Sequence, residues 1–536
     1  MRQWMVAAKK ADFYAIAEKF HVDPVVARII RNREVIGEKN IRIYLGGNLS
    51  DLSDPHQMKD MDRLVEILAQ KIRKQVHIRI IGDYDVDGVT SSHLFLTALR
   101  RVGAKVDVVI PHRIQDGYGL SLHLLQQAKE DGVDTILTCD NGIAAIDEIA
   151  WAKAQKMTVL VTDHHAVPFE EHEGRRTEKK SLADAVVNPH QQDCGYPYKE
   201  LCGAGVAWNV IRVLYENYDM DKREAEDLLD FVAMATVCDV MSLTGENRIL
   251  VKEGLKRIRH TKNIGLQALM QACNVQPENI SAYHFGYVLG PCVNATGRLD
   301  TARHALRLFE TGQETEAEEI ARDLVDLNQE RKELTLQGVE MAKKLCEEGG
   351  YENDPVLVLF LPDVHESIAG LIAGRIREMY NRPVFVLTRG EEGVKGSGRS
   401  TENYSMYENM CGCVELFTKF GGHPMAAGLS LPEENVEKFR RKINENCPLT
   451  VEEVCPDIHI DMAMPVGYAS TELVHQFALL EPFGKDNPSP LFADRNLSIS
   501  RMWLIGKNRN VLRMSVLSEY GQPVPVIFFG DCLLYT

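Results

Sequence analysis

The sequence predicts an α/β protein made of several folded units: a parallel-sheet domain, a long connector helix, a second α/β domain and a small C-terminal all-β barrel. From residue 76 onward, short apolar strands alternate with helical segments, which is the pattern of a parallel sheet. Residues 314–348 form one long, mostly polar stretch, and short alternating segments separated by turn residues follow Asp457. A chain of 536 residues is also too long for a single hydrophobic core.

The composition is that of a globular protein, with 45% apolar and 26% charged residues and a formal charge of −16. The sequence has no apolar run near the roughly 18 residues that a membrane span needs, and residues 1–10 lack the apolar stretch of a signal peptide. Twelve cysteines are scattered without a Cys-x-x-Cys pair, which favours free thiols in a reducing compartment. We therefore expect a cytoplasmic protein with no membrane partner, and exclude secreted proteins held together by disulfides.

The acidic total does not exclude a nucleic-acid partner, because the charge is unevenly distributed. Residues 1–80 hold 15 Lys and Arg against 10 Asp and Glu, a local charge of +5. Phosphate binding responds to the local field of a groove rather than to the sum over the whole chain.

The first α/β region contains predicted strands with helices between them. The predicted strands are 76–82, 106–110, 135–138, 158–161 and 185–187. The predicted helices are 90–101, 121–130, 143–155, 203–217 and 222–237. Ligands of open α/β sheets bind beyond the carboxyl ends of the strands, so the residues that follow each strand are the candidates for a site.

The rest of the chain divides into three parts. An uninterrupted helix over 314–348 would extend for about 50 Å, long enough to separate two domains. A second α/β pattern begins at Pro355, and the segment 457–536 has the short strands and turns of a small barrel. We expect this barrel to be abbreviated, because the chain ends soon after Val526–Phe529. The predicted domains are 1–313, 314–349, 350–450 and 451–536.

Acidic and histidine side chains follow three of the strands. They are Asp83, Asp85 and Asp87 after the first strand, Asp140 after the strand at 135–138, Asp163, His164 and His165 after the strand at 158–161, and Asp239 at the end of an apolar helix. Crowded carboxylates stay ionised when cations neutralise them, and a mixture of Asp and His suits Mn²⁺ or Mg²⁺. Two such ions about 3.5–4 Å apart can activate a water and stabilise the leaving oxygen of a phosphoester. The sequence therefore predicts a site for two ions.

Two other interpretations compete with a metal site. Asp is common at helix N-caps, and for any one of these acids alone capping is an equal alternative. Capping explains the full set at the strand ends of one sheet much less well. The motif Asp-x-Asp-x-Asp-Gly also begins a calcium-binding loop, but Leu94 stands where that loop needs a glutamate.

These motifs, taken in order, resemble those of a known superfamily. They are Asp83–Asp87, Asp140–Gly142, Asp163–His165 and Asp239, followed by Asn294–Arg298, Gly396–Ser400, Phe420–Gly428, Glu481–Gly484 and Asn487–Pro488. The first four are similar in type and order to the motifs of the DHH phosphoesterase superfamily, and the later blocks resemble those of the bacterial RecJ exonucleases. The resemblance implies a DHH catalytic domain, a DHH-associated domain and an oligonucleotide-binding (OB) barrel, joined by a long helix. It also implies 5′→3′ degradation of single-stranded DNA.

The resemblance further implies a role for each motif residue. Asp140 would bridge the two metal ions, and the ligands that complete the two coordination shells would be Asp83, Asp85, Asp87, His164 and Asp239. Asp163 and His165 are the candidate catalytic residues, which would orient ligands or the scissile phosphate. The residues by themselves do not indicate which ligand bridges.

The later blocks hold the candidate contacts to phosphate and DNA. Gly396–Ser400 combines glycines, hydroxyls and a guanidinium, which together can hold an anion, although such a segment is often only a turn. With the resemblance, Ser397, Arg399 and Arg298 become candidates for binding the 5′ phosphate or the DNA backbone. His423 follows two glycines and is either an ordinary loop residue or a phosphate contact across a cleft.

The C-terminal segment places basic residues beside an aromatic one. The residues are Arg501, Lys507, Arg509 and Arg513, together with Trp503. Bases and aromatics on a small barrel are typical of single-strand binding. A solvated strand face with a tryptophan in the core is an equal alternative.

We predict a metal-dependent 5′→3′ exonuclease that degrades single-stranded DNA to 5′ mononucleotides. The resemblance implies a helicase and a single-strand binding protein as partners in recombination and repair, and we expect a monomer. One alternative is a DHH enzyme acting on short oligonucleotides or small nucleotides, against which the basic N-terminal extension and the barrel argue. The other is a non-catalytic DNA-binding scaffold, against which the complete set of Asp and His ligands argues.

Overall fold

The computed structural model describes residues 4–113, 116–117, 119–172, 175–351, 354–390, 393–449, 458–506 and 511–529. These residues form two compact units, a larger one of residues 53–241 and 253–449 and a smaller one of residues 4–52, 242–252 and 458–529. Within the described ranges, no helix has both the length and the apolar character that crossing a bilayer requires. The ten cysteines in these ranges are free thiols.

The N-terminal residues form one short strand and a series of helices. They are β1 (Trp4–Val6), α1 (Phe13–Phe20), α2 (Pro24–Asn32), α3 (Glu38–Gly46) and α4 (Met61–Arg73). Asp12 and Asp23 cap α1 and α2, because their side chains accept hydrogen bonds from the backbone N–H groups of Ala15 and Val25.

A parallel sheet lies at the centre of the larger unit. The strands of this region are β2 (Ile78–Ile81), β3 (Val106–Val109), β4 (Thr135–Cys139), β5 (Thr158–Thr162), β6 (Phe169–His172), β7 (Arg175–Glu178) and β8 (Ala185–Val187). Among the described residues, five of these strands form a parallel sheet in the order β3-β2-β4-β5-β8. The predicted strands are confirmed to within two residues at each end. The antiparallel hairpin of β6 and β7 was not predicted.

Helices connect these strands and continue beyond them. They are α5 (Val86–Arg101), α6 (Leu122–Glu130), α7 (Ile146–Ala154), α8 (Gly203–Asn217), α9 (Lys222–Glu226) and α10 (Leu229–Cys238). Helix α5 begins four residues earlier than predicted, because the Asp85 side chain accepts the Gly88 N–H at 3.0 Å and caps it.

The helix predicted over 222–237 is interrupted. The Ala225 carbonyl, which an unbroken helix would pair with the Leu229 N–H, instead accepts the Trp208 indole N–H at 2.7 Å and the Leu228 N–H at 3.2 Å.

A helical region leads into the connector. Its elements are α11 (Gly245–Ile258), α12 (Ile264–Ala272), α13 (Ala282–His284), a π-helical turn (Phe285–Leu289), α14 (Gly290–Leu299), α15 (Arg303–Glu310) and α16 (Glu314–Glu348). Helix α16 runs for 35 residues and confirms the predicted connector. Its first half buries Ile320 and Leu324 and packs on α12 and α14. Its second half buries Val339 and Ala342 against Ile372 of the following domain.

The second α/β domain follows the connector. Its elements are β9 (Leu357–Phe360), α17 (Ala369–Tyr380), β10 (Val384–Gly390), β11 (Gly393–Arg399), α18 (Met406–Cys411), β12 (Lys419–His423), β13 (Ala426–Leu431) and α19 (Val436–Glu445). Within residues 354–390 and 393–449 the strands form one sheet in the order β12-β13-β11-β10-β9. Strands β9 and β10 are parallel and the other neighbours are antiparallel. Helix α17 packs Ile372 and Ile376 on one face of the sheet, and Phe439 of α19 packs beside Phe385 on the other.

Strands predominate in the C-terminal segment, as predicted. The elements are β14 (Ile458–Ile460), β15 (Met462–Ala463), α20 (Thr471–Phe477), β16 (Phe492–Ala493), β17 (Ser498–Ile505), β18 (Val511–Leu517) and β19 (Pro523–Phe529). Strands β17, β18 and β19 form an antiparallel sheet, while β1 pairs with β14 and β15 with β16. Helix α20 departs from the all-β expectation. It begins where the Ser470 hydroxyl accepts the Leu473 N–H.

The N-terminal residues belong to the same unit as this C-terminal segment. Val26, Ile30 and Tyr44 share a core with Leu473 and Leu480. Arg33 and Asp461, 428 positions apart, form a buried two-pronged ion pair of 2.7 and 3.0 Å. The predicted domain 1–313 includes the basic N-terminal extension. In the structure, residues 4–52 pack with residues 458–529. The boundaries 1–313, 314–349, 350–450 and 451–536 stay a prediction.

Candidate active site

Acidic side chains and histidines converge at the carboxyl edge of the parallel sheet. Strand β2 leads to Asp83 and Asp85, β4 to Asp140 and β5 to His164, with Asp87 in the first turn of α5 and Asp239 at the end of α10. Three overlapping groups have ligand atoms within 4.8 Å of one another: Asp83, Asp85 and Asp140; Asp87, His164 and Asp239; and Asp140, His164 and His165. The structure therefore brings every residue predicted as a metal ligand into one cluster.

Asp140 lies where these groups meet. Its Oδ1 is 3.1 Å from Nε2 of His164 and 3.9 Å from Nδ1 of His165. Its backbone has a φ of +61°, in the left-handed region, and this turns the chain sharply after β4. Gly203, the first residue of α8, lies against it, since a Cβ there would be 2.6 Å from the Asp140 Cβ. This geometry suits a ligand shared by two ions, and the bridging role itself stays a prediction.

Asp87 is held by the N-terminus of α8. Its two carboxylate oxygens accept the backbone N–H groups of Gly203 at 2.6 Å and Ala204 at 2.7 Å. Oδ2 also lies 3.7 Å from Nε2 of His164. A carboxylate offers about four lone-pair sites, so two hydrogen bonds leave room for a cation. Burial and then the charge of Asp85 raise the pKa of Asp87 to about 7.

Asp83 is the acid that most needs a positive partner. Both of its oxygens are buried and meet no donor in hydrogen-bonding geometry among the described residues. Burial and then the charge of Asp85 raise its pKa well above the ordinary value, although the nearby amides of Tyr84 and Gly119 act in the opposite direction. The pKa of Asp140 is likewise raised by burial and then by Asp87. The cluster carries more buried negative charge than the surrounding donors neutralise.

His164 has the protonation state and the orientation of a metal ligand. Burial, with the neighbouring His165 adding to it, lowers its pKa to about 4, so the imidazole is neutral and keeps a lone pair. A hydrogen bond to the Leu201 backbone holds the ring, while Nε2 faces Asp140, Asp87 and Asp239 at 3.1 to 3.7 Å. Metal-bound histidines characteristically use their second nitrogen in this way. The donor set, rich in carboxylate oxygen with one imidazole, fits Mn²⁺ or Mg²⁺ rather than metals that prefer thiolates.

Both carboxylate oxygens of Asp163 accept hydrogen bonds from the backbone. Oδ1 accepts the backbone N–H groups of His164 at 2.7 Å and His165 at 3.0 Å, and Oδ2 accepts that of Ile143 at 2.8 Å. Burial opposes ionisation of Asp163, but its bond to His165 and these amides hold its pKa below the usual range. This arrangement is that of a residue that positions the two histidines.

His165 is the more accessible of the two histidines. Its Nδ1 lies 2.8 Å from Asp163 Oδ1, and its side chain is 40% exposed. Burial acts to lower its pKa, yet the bond to Asp163 and the surrounding carboxylates raise it to about 9. In the metal-free protein the ring is therefore cationic at neutral pH.

Three of the four predicted phosphate residues, Arg298, Ser397 and Arg399, lie at a cleft between the parallel-sheet region and the second α/β domain. The Arg399 guanidinium donates to Ser397 Oγ at 3.3 Å, and Arg298 donates to the Ser367 carbonyl at 2.8 Å. A cavity of about 470 Å³ is lined by Ser397, together with Tyr84, Arg113 and others. Burial lowers the pKa of Arg298 to about 10, and the charges of Arg113 and Arg399 add to the effect. Arg113 thus lines the cavity, and Arg298 and Arg399 each donate to a residue of its wall.

Two findings at this cleft differ from the sequence predictions. Arg113, which stacks over the Tyr84 ring at 4.8 Å, was not among the candidates, although it follows strand β3 and the strand-end rule could have found it. Lys419 and Gly421 of β12 line the cavity. His423 lies exposed at the far end of the same strand, paired with Ala426, and is not among the described residues that line the cavity.

The C-terminal sheet carries an exposed aromatic residue beside a base. Trp503 is 41% exposed, and the Arg513 guanidinium on the neighbouring strand lies 5.6 Å from its ring centroid. Arg501 is also exposed on β17. The interpretation of Trp503 as a core residue is therefore wrong. Lys507 and Arg509 lie outside the described residues.

Comparison with known domains places this fold and site among the DHH-type phosphoesterases. The DHH family N-terminal domain matches residues 77–236, and the DHHA1 domain matches residues 353–447. The RecJ OB domain matches residues 460–535. These matches follow the predicted order of catalytic domain, DHH-associated domain and OB domain.

Individual relatives are similar over nearly the whole chain. The single-stranded-DNA-specific exonuclease RecJ of Haemophilus influenzae is 34% identical, over 93% of this chain and 88% of the relative. RecJ of Bacillus subtilis is 33% identical over 95% of this chain, which spans 63% of that relative's length. The crystal structure of Thermus thermophilus RecJ in complex with Mn²⁺ superposes with a TM-score of 0.81 at 27% identity, covering 98% of this chain and 76% of the other. The chain belongs to the RecJ family.

Proposed function

We propose that this protein is a metal-dependent exonuclease that degrades single-stranded DNA from the 5′ end and releases 5′ mononucleotides. The observation that carries the proposal is the buried acidic cluster, in which two groups of potential ligands meet at Asp140. The cluster lies in the same unit as a cleft that gathers Arg113, Arg298 and Arg399. The named activity of the RecJ relatives supports the same substrate.

Two divalent cations held by the predicted ligands would activate a water and stabilise charge on the leaving oxygen. Residues of the chain itself would orient the ligands and supply a proton. Asp163 orients His164 and His165 through its hydrogen bonds to both. His165 lies beside the cluster with a partly exposed ring, where it could give a proton to the departing 3′ oxygen, which a general acid must protonate.

The cleft residues would hold the strand. Arg298 and Arg399 can bind phosphate oxygens as planar forks, and Ser397 adds a hydroxyl at the cavity wall. His423 stays a weaker proposal for a contact further along the strand. Trp503 with Arg513 offers a stacking surface for a base. This division assigns the terminal phosphate to the cleft and gives the smaller unit a separate stacking surface for a base.

The proposed biological setting is DNA recombination and repair. A helicase would supply single strands, and a single-strand binding protein would keep them open. We propose that the protein acts as a monomer in the cytoplasm, where the ten described cysteines would remain reduced.

The decisive experiment is a digestion time course with Mn²⁺ on single-stranded DNA labelled at either end. Early release of a labelled 5′ mononucleotide is expected from the unmodified chain, and Asp140→Ala should release none. Asp326→Ala, which removes an exposed carboxylate on α16, is the matched control and should keep full activity.

The other outcomes separate the alternatives. Release of label first from the 3′ end would overturn the polarity. Activity confined to di- to pentanucleotides would identify an enzyme for short oligonucleotides. Tight strand binding without hydrolysis, unchanged in Asp140→Ala, would identify a non-catalytic scaffold.

A further inference from the structure

Cys273 and Cys292 face each other outside the acidic cluster. Cys273 caps the end of α12, and Cys292 lies in the first turn of α14. Their sulfur atoms are 3.8 Å apart, which is van der Waals contact and about 1.8 Å longer than a disulfide bond. Cys273 is partly exposed, whereas Cys292 is only 2% exposed. A small oxidant can therefore reach the pair from the Cys273 side.

Polar and cationic groups of α16 lie beside the Cys292 sulfur. Asn328 of α16 donates a hydrogen bond to its sulfur at 3.4 Å. The contact with Cys273 lowers the pKa of Cys292, and the cations Lys332 and Arg331 act in the same direction, whereas burial opposes them. A thiolate is the form of cysteine that reacts with peroxides.

Helix α14 connects this thiol pair to the candidate active site. Asn294, two residues after Cys292, accepts the Val86 N–H at 3.2 Å, at the start of the helix that carries Asp87. Further along α14, Arg298 donates to the Ser367 carbonyl across the cleft. A bond that draws Cys292 toward its partner therefore acts on a helix held at both the acidic motif and the cleft.

We propose that Cys273 and Cys292 are an oxidisable thiol pair whose disulfide lowers the nuclease activity, an inference that rests on the proposed function. The oxidant is a peroxide. The thiolate of one member of the pair attacks one peroxide oxygen, the O–O bond breaks and, with one proton taken up, a sulfenic acid and water form. The sulfur of the other member then attacks the sulfenic sulfur, its S–O bond breaks, and the disulfide and a second water form. The two thiols together lose two electrons, which reduce the peroxide to water.

The test treats the reduced full-length chain with hydrogen peroxide, alkylates the remaining thiols and maps the peptides. The expected result is a linked Cys273–Cys292 peptide, lighter than its two parts by two hydrogens. Activity on single-stranded DNA should fall by about fivefold or more, within the usual range for coupled sites, and return with dithiothreitol. Cys273→Ser and Cys292→Ser should form no link and keep their activity after peroxide. Cys411→Ser, which removes an exposed thiol elsewhere, should respond like the unmodified chain.

Three results would overturn the proposal. One is oxidation of Cys411 with no linked Cys273–Cys292 peptide. Another is complete linkage with unchanged activity, and the third is an equal loss of activity in Cys292→Ser. If the reduced chain shows no nuclease activity, the proposed function fails by itself. Titration with Mn²⁺ then replaces the activity readout, with the same fold loss of affinity expected on linkage and an unchanged affinity overturning the coupling.

Discussion

The Arg298 guanidinium donates a hydrogen bond of 2.8 Å to the backbone carbonyl of Ser367. Arg298 lies on α14 beside the parallel-sheet region, and Ser367 lies in the short 3₁₀ turn before α17 of the second α/β domain. The Arg298 side chain thus contacts both walls of the cleft. The positive charges of Arg113 and Arg399 repel its guanidinium. A phosphate group would relieve this repulsion, because its negative charge would be shared among the three cations.

Replacing Arg298 with lysine keeps the charge but removes the planar fork. We expect KM for 5′-phosphorylated single strands to rise about tenfold or more, since a hydrogen bond to a charged group contributes about 1.5–3 kcal/mol. Steady-state kinetics on 5′-phosphorylated and 5′-hydroxyl oligonucleotides of one sequence measures this. Arg322→Lys, at an exposed position of α16, is the control. An equal rise in KM on both substrates would show that Arg298 does not read the terminal phosphate.

Asp163→Asn tests whether this carboxylate positions the histidines. The variant loses the charge that orients His165 and holds its proton, so we expect apparent Mn²⁺ affinity to fall about 10–100-fold. Activity measured across a Mn²⁺ titration should recover in part at high concentration, whereas Asp140→Ala should not recover. A loss in Asp163→Asn that Mn²⁺ leaves unchanged would argue for a direct catalytic role instead.

Gly203→Ala tests the packing of α8 against Asp140. The added Cβ would lie 2.6 Å from the Asp140 Cβ, so the carboxylate must move and activity should be lost. Overpacking of this kind also costs about 1–3 kcal/mol of unfolding free energy. Gly205→Ala, on the same helix, places its Cβ no closer than 3.4 Å to a side chain and should keep most of the activity. Equal activity in the two variants would mean that Asp140 tolerates displacement.

The stability of the metal-free protein should depend on pH through Asp87. Its pKa is raised to about 7 from an ordinary value of 3.8, so the folded state binds the proton more tightly than the unfolded chain does. That contribution is complete below the ordinary value and is lost as the pH rises through about 7. In EDTA, the Tm of the unmodified chain should therefore fall relative to that of Asp87→Asn between about pH 5 and about pH 8. Calorimetry measures the difference, and Mn²⁺ should reduce it because a cation replaces the proton. A constant difference in EDTA would contradict the raised pKa.

Trp503→Ala tests the stacking surface of the smaller unit. Loss of one stacked base costs about 1–3 kcal/mol, so KM for a long single strand should rise about 5- to 150-fold. KM for a dinucleotide should not change, because so short a substrate does not extend beyond the cleft. Tyr520→Ala removes another exposed aromatic and is the matched control. A similar rise for both substrate lengths would place Trp503 outside the DNA path.

The acidic site could be predicted from the sequence because it depends on a local rule. In a parallel sheet, residues directly after the strands lie at one edge, so Asp83, Asp140 and His164 were found without knowledge of the strand order. The length of α16 was predicted for a similar reason, since its bounds depend on a continuous stretch of residues. Such features can be predicted from the sequence because residues that are close along the chain determine them.

Features that depend on distant contacts could not be predicted in this way. The break between α9 and α10 depends on the Trp208 indole reaching the Ala225 carbonyl. The grouping of the N-terminal helices with the C-terminal segment depends on pairs such as Arg33 and Asp461. Spacing along the sequence carries no signal for either contact, because tertiary packing determines which residues meet.

Helix α16 is continuous and holds the two walls of the cleft at a fixed separation. Its first half packs on α12 and α14 and its second half on α17, so both walls are attached to the same helix. Opening the cleft would require that helix to bend. Each residue inserted into α16 would advance the second domain by about 1.5 Å and turn it by about 100°. The spacing between the catalytic cluster and the opposite wall is thus encoded in the number of residues in one helix.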